Sequence, residues 1–355
     1  MSRTNEEAKA KWKNTFVEAA KAQLEKEGDE EMDSQSDDEA LQAEKFRNHW
    51  IELWSAVFGS FEETTHIPSM LLTDNPAPQH ELDLCDSLQV FSAKITGIRG
   101  GLQFPLDVFG VIAIRDSIEP RRNIIFSRTR DNCQALTEED PYLLLTGPTR
   151  AVLVMDPVTI EVMLKVKGAV ESEDKILNFQ AAELICFGTM DSLLFSRAYT
   201  SKLSTLEFTL GQIVWSVEAT IFVQVVNGSW ADGFLGQFAA FTIGRDRRTW
   251  RQHGGASFGD EKVVLLDSGD KNVPVSGDGQ IELSRRVVSV DVYGKLKLSV
   301  KAWQDGNSVM DEVCFEPRKA GRSYGMLQVG ICKIEVTVAW SLISFLDHYE
   351  QWWAK

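Results

Sequence analysis

Val217-Glu218-Ala219-Thr220-Ile221-Phe222-Val223-Gln224-Val225 alternates, residue by residue, between two kinds of side chain. Successive side chains of a strand point to opposite faces, so Val217, Ala219, Ile221, Val223 and Val225 share one face. Glu218, Thr220 and Gln224 share the other. Three more stretches read the same way. Ile160, Val162, Leu164 and Val166 oppose Glu161, Lys165 and Lys167; Leu296, Leu298 and Val300 oppose Lys297, Ser299 and Lys301. Ile334, Val336, Val338, Trp340 and Leu342 oppose Glu335, Thr337 and Ser341. Half-buried antiparallel strands have this period. Helical segments of roughly 10–15 residues do not recur between them, which argues against a parallel α/β sheet. The expectation is a mainly β fold, a sandwich or a barrel.

The strand pattern begins at Leu88 and repeats itself. Val90-Phe91-Ser92-Ala93-Lys94-Ile95, the turn Gly100-Gly101 and Val108-Phe109-Gly110-Val111 form one series. Val217 to Ile221, Asn227-Gly228 and Phe234-Leu235-Gly236-Gln237 form a second. Thr149-Arg150-Ala151-Val152 and the strand Ile160–Val166 match Ser284-Arg285-Arg286-Val287 and the strand Leu296–Ala302. Two tandem antiparallel β-sandwich-like units follow from this, over 88–210 and 211–344, or else one large sandwich whose halves share a core.

The flanks differ. Residues 1–44 hold 13 acids and 6 bases, and nine of those acids fall between Lys26 and Glu44. A block of like charge without apolar mass self-repels, so an acidic disordered tail preceded by helix-prone sequence is expected over 1–38. Phe46, Trp50, Trp54 and Phe58 recur every four residues, which predicts an amphipathic helix over about 39–58 that Gly59 ends. That stripe reads as packing or as a partner surface. A connector with Pro68, Pro76 and Pro78 runs to 87. Leu342, Leu346, Tyr349 and Trp353 have helical spacing, so a short C-terminal helix is expected over 345–355.

Composition removes several functions. The 355 residues carry a net charge of −15, the wrong sign for general nucleic-acid binding. No run approaches the roughly 20 apolar residues of a membrane helix. The opening is charged and has no apolar core of a secretory signal. Cys85, Cys133, Cys186, Cys314 and Cys332 are an odd number at wide spacings. Reduced thiols in the cytoplasm or nucleus are expected. Arg130 beside Cys133 would lower that thiol's pKa, but a structural role is favoured. His49, His66, His80, His253 and His348 are scattered, no zinc, phosphate-loop or hydrolase motif is present, and neither a cofactor nor a resident metal is expected. Acidic loops leave calcium as an alternative, through Asp267, Asp270 and Asp278 or through Glu171, Glu173 and Asp174, although the spacing is not that of a calcium loop.

One basic island stands in this acidic chain. Arg115, Arg121, Arg122, Arg128 and Arg130 interleave with Ile124, Ile125 and Phe126. Such a cluster would bind an anionic ligand or an acidic protein partner, or pair within the chain with Asp116, Glu119, Asp131, Glu138 and Glu139. Arg245, Arg247, Arg248 and Arg251 around Trp250 form a second set.

Many ungapped stretches in order over about 46–344 carry a resemblance. They include Phe91-Ser92-Ala93-Lys94-Ile95, Pro105-Leu106-Asp107-Val108-Phe109-Gly110, Arg122-Asn123-Ile124-Ile125-Phe126-Ser127-Arg128, Arg130-Asp131-Asn132-Cys133-Gln134, Leu145-Thr146-Gly147-Pro148 and Leu283-Ser284-Arg285-Arg286-Val287-Val288. The chain resembles a plant domain of unknown function that is abundant in grasses. In cereal jasmonate-induced proteins this domain also follows a ribosome-inactivating domain. The resemblance implies a plant stress or defence setting and no agreed activity. Glu18-Ala19-Ala20-Lys21 is superficially similar to the rRNA N-glycosidase active-site helix, but lysine replaces arginine and only seventeen residues precede it. No catalytic residue carries over. The expected function is a non-catalytic binding or regulatory module. The alternatives are a peripheral calcium- and phospholipid-binding tandem sandwich, or a glycan-binding or hydrolytic sandwich.

Overall fold

The computed structural model describes residues 35–76, 84–155, 157–186, 191–231, 233–244 and 261–343. Residues 1–34 of the expected tail, the expected C-terminal helix and the second arginine set lie outside the described residues; residues 35–38, expected to be disordered, begin the helix instead. The fold is mainly β: among the described residues one α-helix, α1 (Gln35–Phe58), precedes sixteen strands in three sheets. Every strand ladder is antiparallel.

The first unit is built from β1 (Cys85–Ile98), β2 (Leu106–Arg115), β3 (Asn123–Arg128), β4 (Gln134–Leu136), β5 (Val152–Leu153), β6 (Val158–Val166), β7 (Lys175–Leu184), β8 (Leu193–Thr200) and the start of β9 (Ser204–Asn227). The second takes the rest of β9, then β10 (Leu235–Ile243), β11 (Val263–Asp267), β12 (Val287–Asp291), β13 (Lys295–Gln304), β14 (Asn307–Phe315), β15 (Ala320–Val329) and β16 (Cys332–Ser341). In the first unit a β3-β2-β6-β7 sheet, with β4 on β2, faces β8-β9-β1-β5. In the second a β11-β10-β13-β14 sheet faces β15-β16-β9-β12. The circuit is the same, run twice. The internal repeat is therefore a repeat of topology.

The two runs share a strand. β9 is 24 residues long. Its first half pairs with β1 and β8, and its second with β12 and β16. The exchange happens at Ser216, which faces Cys85 of β1 and Asp291 of β12. Each unit keeps its own core. Val108, Ile112, Phe126, Val162 and Phe208 belong to one; Ile221, Phe238, Leu298, Val338 and Trp340 belong to the other. Between them lies a small third cluster of Ile67, Cys85, Ile118, Ala151, Leu153, Val287 and Ile343. A cut at residue 210 would pass through continuous strand.

The connector after α1 straddles both units. Arg122 N–H donates to the Glu63 carbonyl at 3.0 Å and Thr65 N–H to the Arg122 carbonyl at 2.8 Å in the first. Leu72 N–H donates to Ser341 Oγ at 3.0 Å and Thr73 Oγ1 to the Trp340 carbonyl at 2.9 Å in the second.

Strand alternation places Glu161 and Glu218 on solvent faces, and the structure corrects this. Both are buried, at 6% and 2% exposure. Period 2 separates two faces but does not say what covers the second one. Here α1 and the connector cover it. The cysteines are all free; Cys85 and Cys332 are buried, Cys133 and Cys186 half-buried and Cys314 exposed.

Gly110 shows how closely β2 and β6 approach. It sits at φ 124°, and a Cβ there would lie 2.1 Å from the Met163 carbonyl oxygen. Gly110→Ala is expected to cost on the order of 3 kcal/mol, from left-handed strain and a displaced β6. Urea denaturation with an unchanged midpoint would refute that packing.

Candidate functional site

The arginine cluster and the aromatic stripe were separate features in the sequence. In the structure they bind each other. Gly59, at φ 83°, ends α1 and donates its N–H to the Ser55 carbonyl at 3.2 Å. The chain turns back and slides Phe61 under the helix. Trp50, Phe58 and Phe61 become a buried aromatic cluster, with Phe46 and Trp54 packed against it. The Arg115 guanidinium lies 4.1 Å from the Phe61 ring centroid and 5.0 Å from that of Trp50. Arg122 lies 5.1 Å from Phe61, and Arg121 lies 5.2 Å from Phe58. Desolvated cation–π contacts of this kind contribute up to about 2 kcal/mol each.

Polar partners complete the arrangement. Arg115 donates to Glu161 at 2.7 Å, to the Phe61 carbonyl at 2.7 Å and to the Pro120 carbonyl at 2.6 Å. Trp50 Nε1 donates to the same Pro120 carbonyl at 2.8 Å. Arg122 Nε reaches Glu161 at 3.0 Å, and Arg121 Nε reaches the Phe58 carbonyl at 2.9 Å while its Nη1 pairs with Glu119. Burial pushes the Arg115 pKa down to about 10, which leaves it charged at neutral pH. Arg128 and Arg130 lie elsewhere. Arg128 Nη1 stands 3.4 Å from Asn132 Oδ1. Arg130 donates to Asp174 at 2.9 Å and to the Gly168 carbonyl at 2.8 Å, and holds the Asp174 carboxyl below the usual range. The five arginines are thus no single exposed patch. Arg115, Arg121 and Arg122 are spent on the fold. Of the carboxylates named from sequence, Glu119 is a partner; Glu161 and Asp174 are partners that sequence distance concealed.

A second buried network lies at the junction of the units. Arg150 makes a two-pronged pair with Asp116, at 2.6 and 2.8 Å. Asp116 also accepts from Leu153 N–H at 3.0 Å. Thr65 Oγ1 accepts from Arg150 Nε at 3.3 Å and donates to Glu119 at 2.5 Å. Glu218, on β9, accepts from Met70 N–H at 2.7 Å and Ala151 N–H at 2.8 Å. Burial raises its carboxyl pKa above the ordinary range. Its oxygens are occupied by the backbone of two other segments, a structural duty. The repeated Arg150-Ala151-Val152 and Arg285-Arg286-Val287 marked this position. Arg285 is also buried; it donates to the Val90 carbonyl at 2.8 Å, and burial pushes it down to about 9.

Asp267 is taken by Gln237 Nε2 at 2.5 Å and Gly269 N–H at 2.9 Å, and Asp278 by Ser276 Oγ at 2.5 Å and Gln280 N–H at 3.2 Å. Among the described residues no three histidine, cysteine or acidic side chains gather to hold a metal ion. Asp267, Asp270 and Asp278 are thus not gathered into one cluster in this structure. Burial pushes the Cys186 thiol up to about 11 and the Tyr199 phenol up to about 12. Both stay protonated at neutral pH, which is the opposite of an activated nucleophile. Among the described residues no helix is long and apolar enough to cross a membrane.

An open groove of about 840 Å³ remains, at the end of the first unit away from the junction. Its wall is β1 from Lys94 to Ile98. Leu102 and Phe104, from the β1–β2 hairpin, form one side; Glu138, Glu139 and Tyr142 form the other. Lys94 pairs with Glu207 at 3.0 Å, so the wall is locally neutral. Glu138, Glu139 and Asp140 are exposed and make no ion pair among the described residues. The sequence offered no signal for this site, because three separated segments build it.

A family model described as a domain of unknown function, DUF6598, matches residues 87–338. The chain belongs to the DUF6598 family. The match starts inside β1 and ends inside β16, so a DUF6598 domain is the pair of units with their shared strand. Helix α1 lies outside it. No curated protein matches in sequence. Human GIVD cytosolic phospholipase A2 is similar at 10% identity and a TM-score of 0.21, over 73% of this chain and 33% of that one. The chain thus spans about a third of that protein, and so low a score carries no argument.

The junction pair makes a quantitative prediction. Asp116→Asn, or Arg150→Met, strands a buried group and is expected to cost about 3–5 kcal/mol. The double variant Asp116→Leu/Arg150→Met should recover much of that in urea denaturation. Additive losses would show that the pair is not coupled.

Proposed function

We propose that this DUF6598 protein is a non-catalytic binding module whose ligand occupies the groove between the β1–β2 hairpin and Glu138–Tyr142. One observation carries this reading: the groove is open and its rim carboxylates make no ion pair among the described residues, while Arg115, Arg121 and Arg122 are covered by α1 and by Phe61 just after it. Rigid sheets hold the groove walls and loops supply its polar rim, a common division of labour in binding proteins. The plant stress or defence setting implied by the family resemblance, and a cytoplasmic or nuclear location, belong to the same proposal.

The test is a pull-down from stressed grass-leaf extract with the full chain and two variants, each checked as folded by circular dichroism. Glu138→Lys/Glu139→Lys/Tyr142→Ala alters the groove. Arg128→Glu/Arg130→Glu alters the two arginines that α1 leaves uncovered. A partner lost with the groove variant and kept with the arginine variant is the expected result. Loss with the arginine variant alone would return the ligand to the arginines. Identical partner lists for all three chains would refute both placements.

A further inference from the structure

The second unit repeats the strand–loop pairing that walls the groove. In the first unit Leu143 N–H donates to the Ala93 carbonyl at 2.9 Å, and Ile95 N–H to the Pro141 carbonyl at 3.1 Å. In the second, Ile281 N–H donates to the Val223 carbonyl at 2.9 Å, and Val225 N–H to the Gly279 carbonyl at 2.8 Å. The two patterns are identical, so loop 138–142 corresponds to 276–280 and β1 to the second half of β9. Counting five residues on from Ile95 and from Val225 reaches Gly100 and Trp230. Trp230 folds back from the β9–β10 hairpin. Its Nε1 donates to the Phe234 carbonyl at 2.9 Å and its ring centroid lies 5.9 Å from that of Phe238. It packs over Gly236 beside Val273. At that count the first unit has a glycine, whose Cβ position faces Leu203, where the second has this indole.

Two observations say what would fill the first unit's groove. The outer edge of β1 is paired with loop 141–143 only as far as Ile95; beyond that β1 runs on to Ile98 with β9 on its other side, and among the described residues nothing bonds to the free edge. An extended peptide completes such an edge. The rim carries Glu138 and Glu139, with Asp140 beside them, none in an ion pair among the described residues, and the chain as a whole carries −15, so the attraction is for cations.

We infer that the groove receives an extended, lysine- and arginine-rich segment of a partner protein that carries one aromatic side chain. The segment adds a short strand beside Thr96–Ile98. Its ring packs beside Phe104 and Tyr142, the two aromatic side chains of the lining, and its cations face Glu138 and Glu139. This rests on the groove being the binding site and names the chemistry of its occupant.

The test titrates fluorescein-labelled Lys-Arg-Val-Trp-Val-Arg-Lys into the full chain, followed by anisotropy. Controls are the same peptide with Trp replaced by Ala, and the Glu138→Gln/Glu139→Gln protein. Both glutamates are exposed, so the variant folds. Saturable binding that each change weakens tenfold or more is expected, together with slowed hydrogen exchange at amides 96–98. No saturable binding overturns the inference. So does binding that neither change affects by more than twofold, or exchange that does not slow, since diffuse attraction to an acidic protein would behave in that way. If the peptide fails while an extract partner still depends on the groove, the occupant is wrong and the binding-module reading stands. If the extract partner is also indifferent to the groove, both fall.

Discussion

At the point where β9 passes from one unit to the next, a guanidinium and a carboxylate sit together out of reach of water. Arg150 and Asp116 are 2% and 4% exposed. Taking either charge from water alone costs several kcal/mol, and a methionine–leucine pair would pack at no such cost. Geometry is what the ion pair supplies. Asp116 also holds Leu153 N–H, and Arg150 also holds Thr65. One pair therefore ties the end of β2, the short β5 and the connector after α1 into a single arrangement. Apolar side chains of equal volume would slide past one another. Around this centre four buried or nearly buried arginines, Arg115, Arg121, Arg122 and Arg150, face four buried carboxylates, Asp116, Glu119, Glu161 and Glu218. The interior of a strongly acidic chain is close to neutral, and its excess negative charge is left to the outside.

That arrangement decides what the surface can offer. The five arginines of 115–130 are the larger of the chain's two arginine clusters, and helix α1 with Phe61 closes over three of them. The carboxylates near the groove are the reverse case. Glu138, Glu139 and Asp140 sit on a loop whose backbone is fixed to β1, and they stay at the surface with no ion pair among the described residues. Electrostatics thus favours a cationic partner for a protein whose sequence drew attention to its cations.

The parts legible from sequence are those governed by neighbours along the chain. Period 2 located the strands, because alternation is a local property. Phe46 to Phe58 and Gly59 located the helix and its end. The repeat was legible through Arg150-Ala151-Val152 and Arg285-Arg286-Val287, since a buried charge beside a strand leaves a distinct mark. What sequence could not show is which face meets what. Glu161 is 46 residues from Arg115, and Asp174 is 44 from Arg130, so neither pair has a local signature. Arginine cluster and aromatic stripe were each visible, but their union depends on Phe61 sliding under α1. The groove depends on strand, hairpin and loop converging from three places.

The shared strand also bears on how the protein is made. A chain leaves the ribosome from its N-terminus, and β1 emerges long before β9, the strand it needs beside it. Through that interval β1 presents an unpaired and largely apolar ladder, and once β9 appears its second half waits in turn for β16. Neither unit can close as a finished piece before the next begins, so the aggregation hazard of open edges spans most of synthesis. In a cell, output of this protein should depend on chaperones that hold nascent β-rich chains.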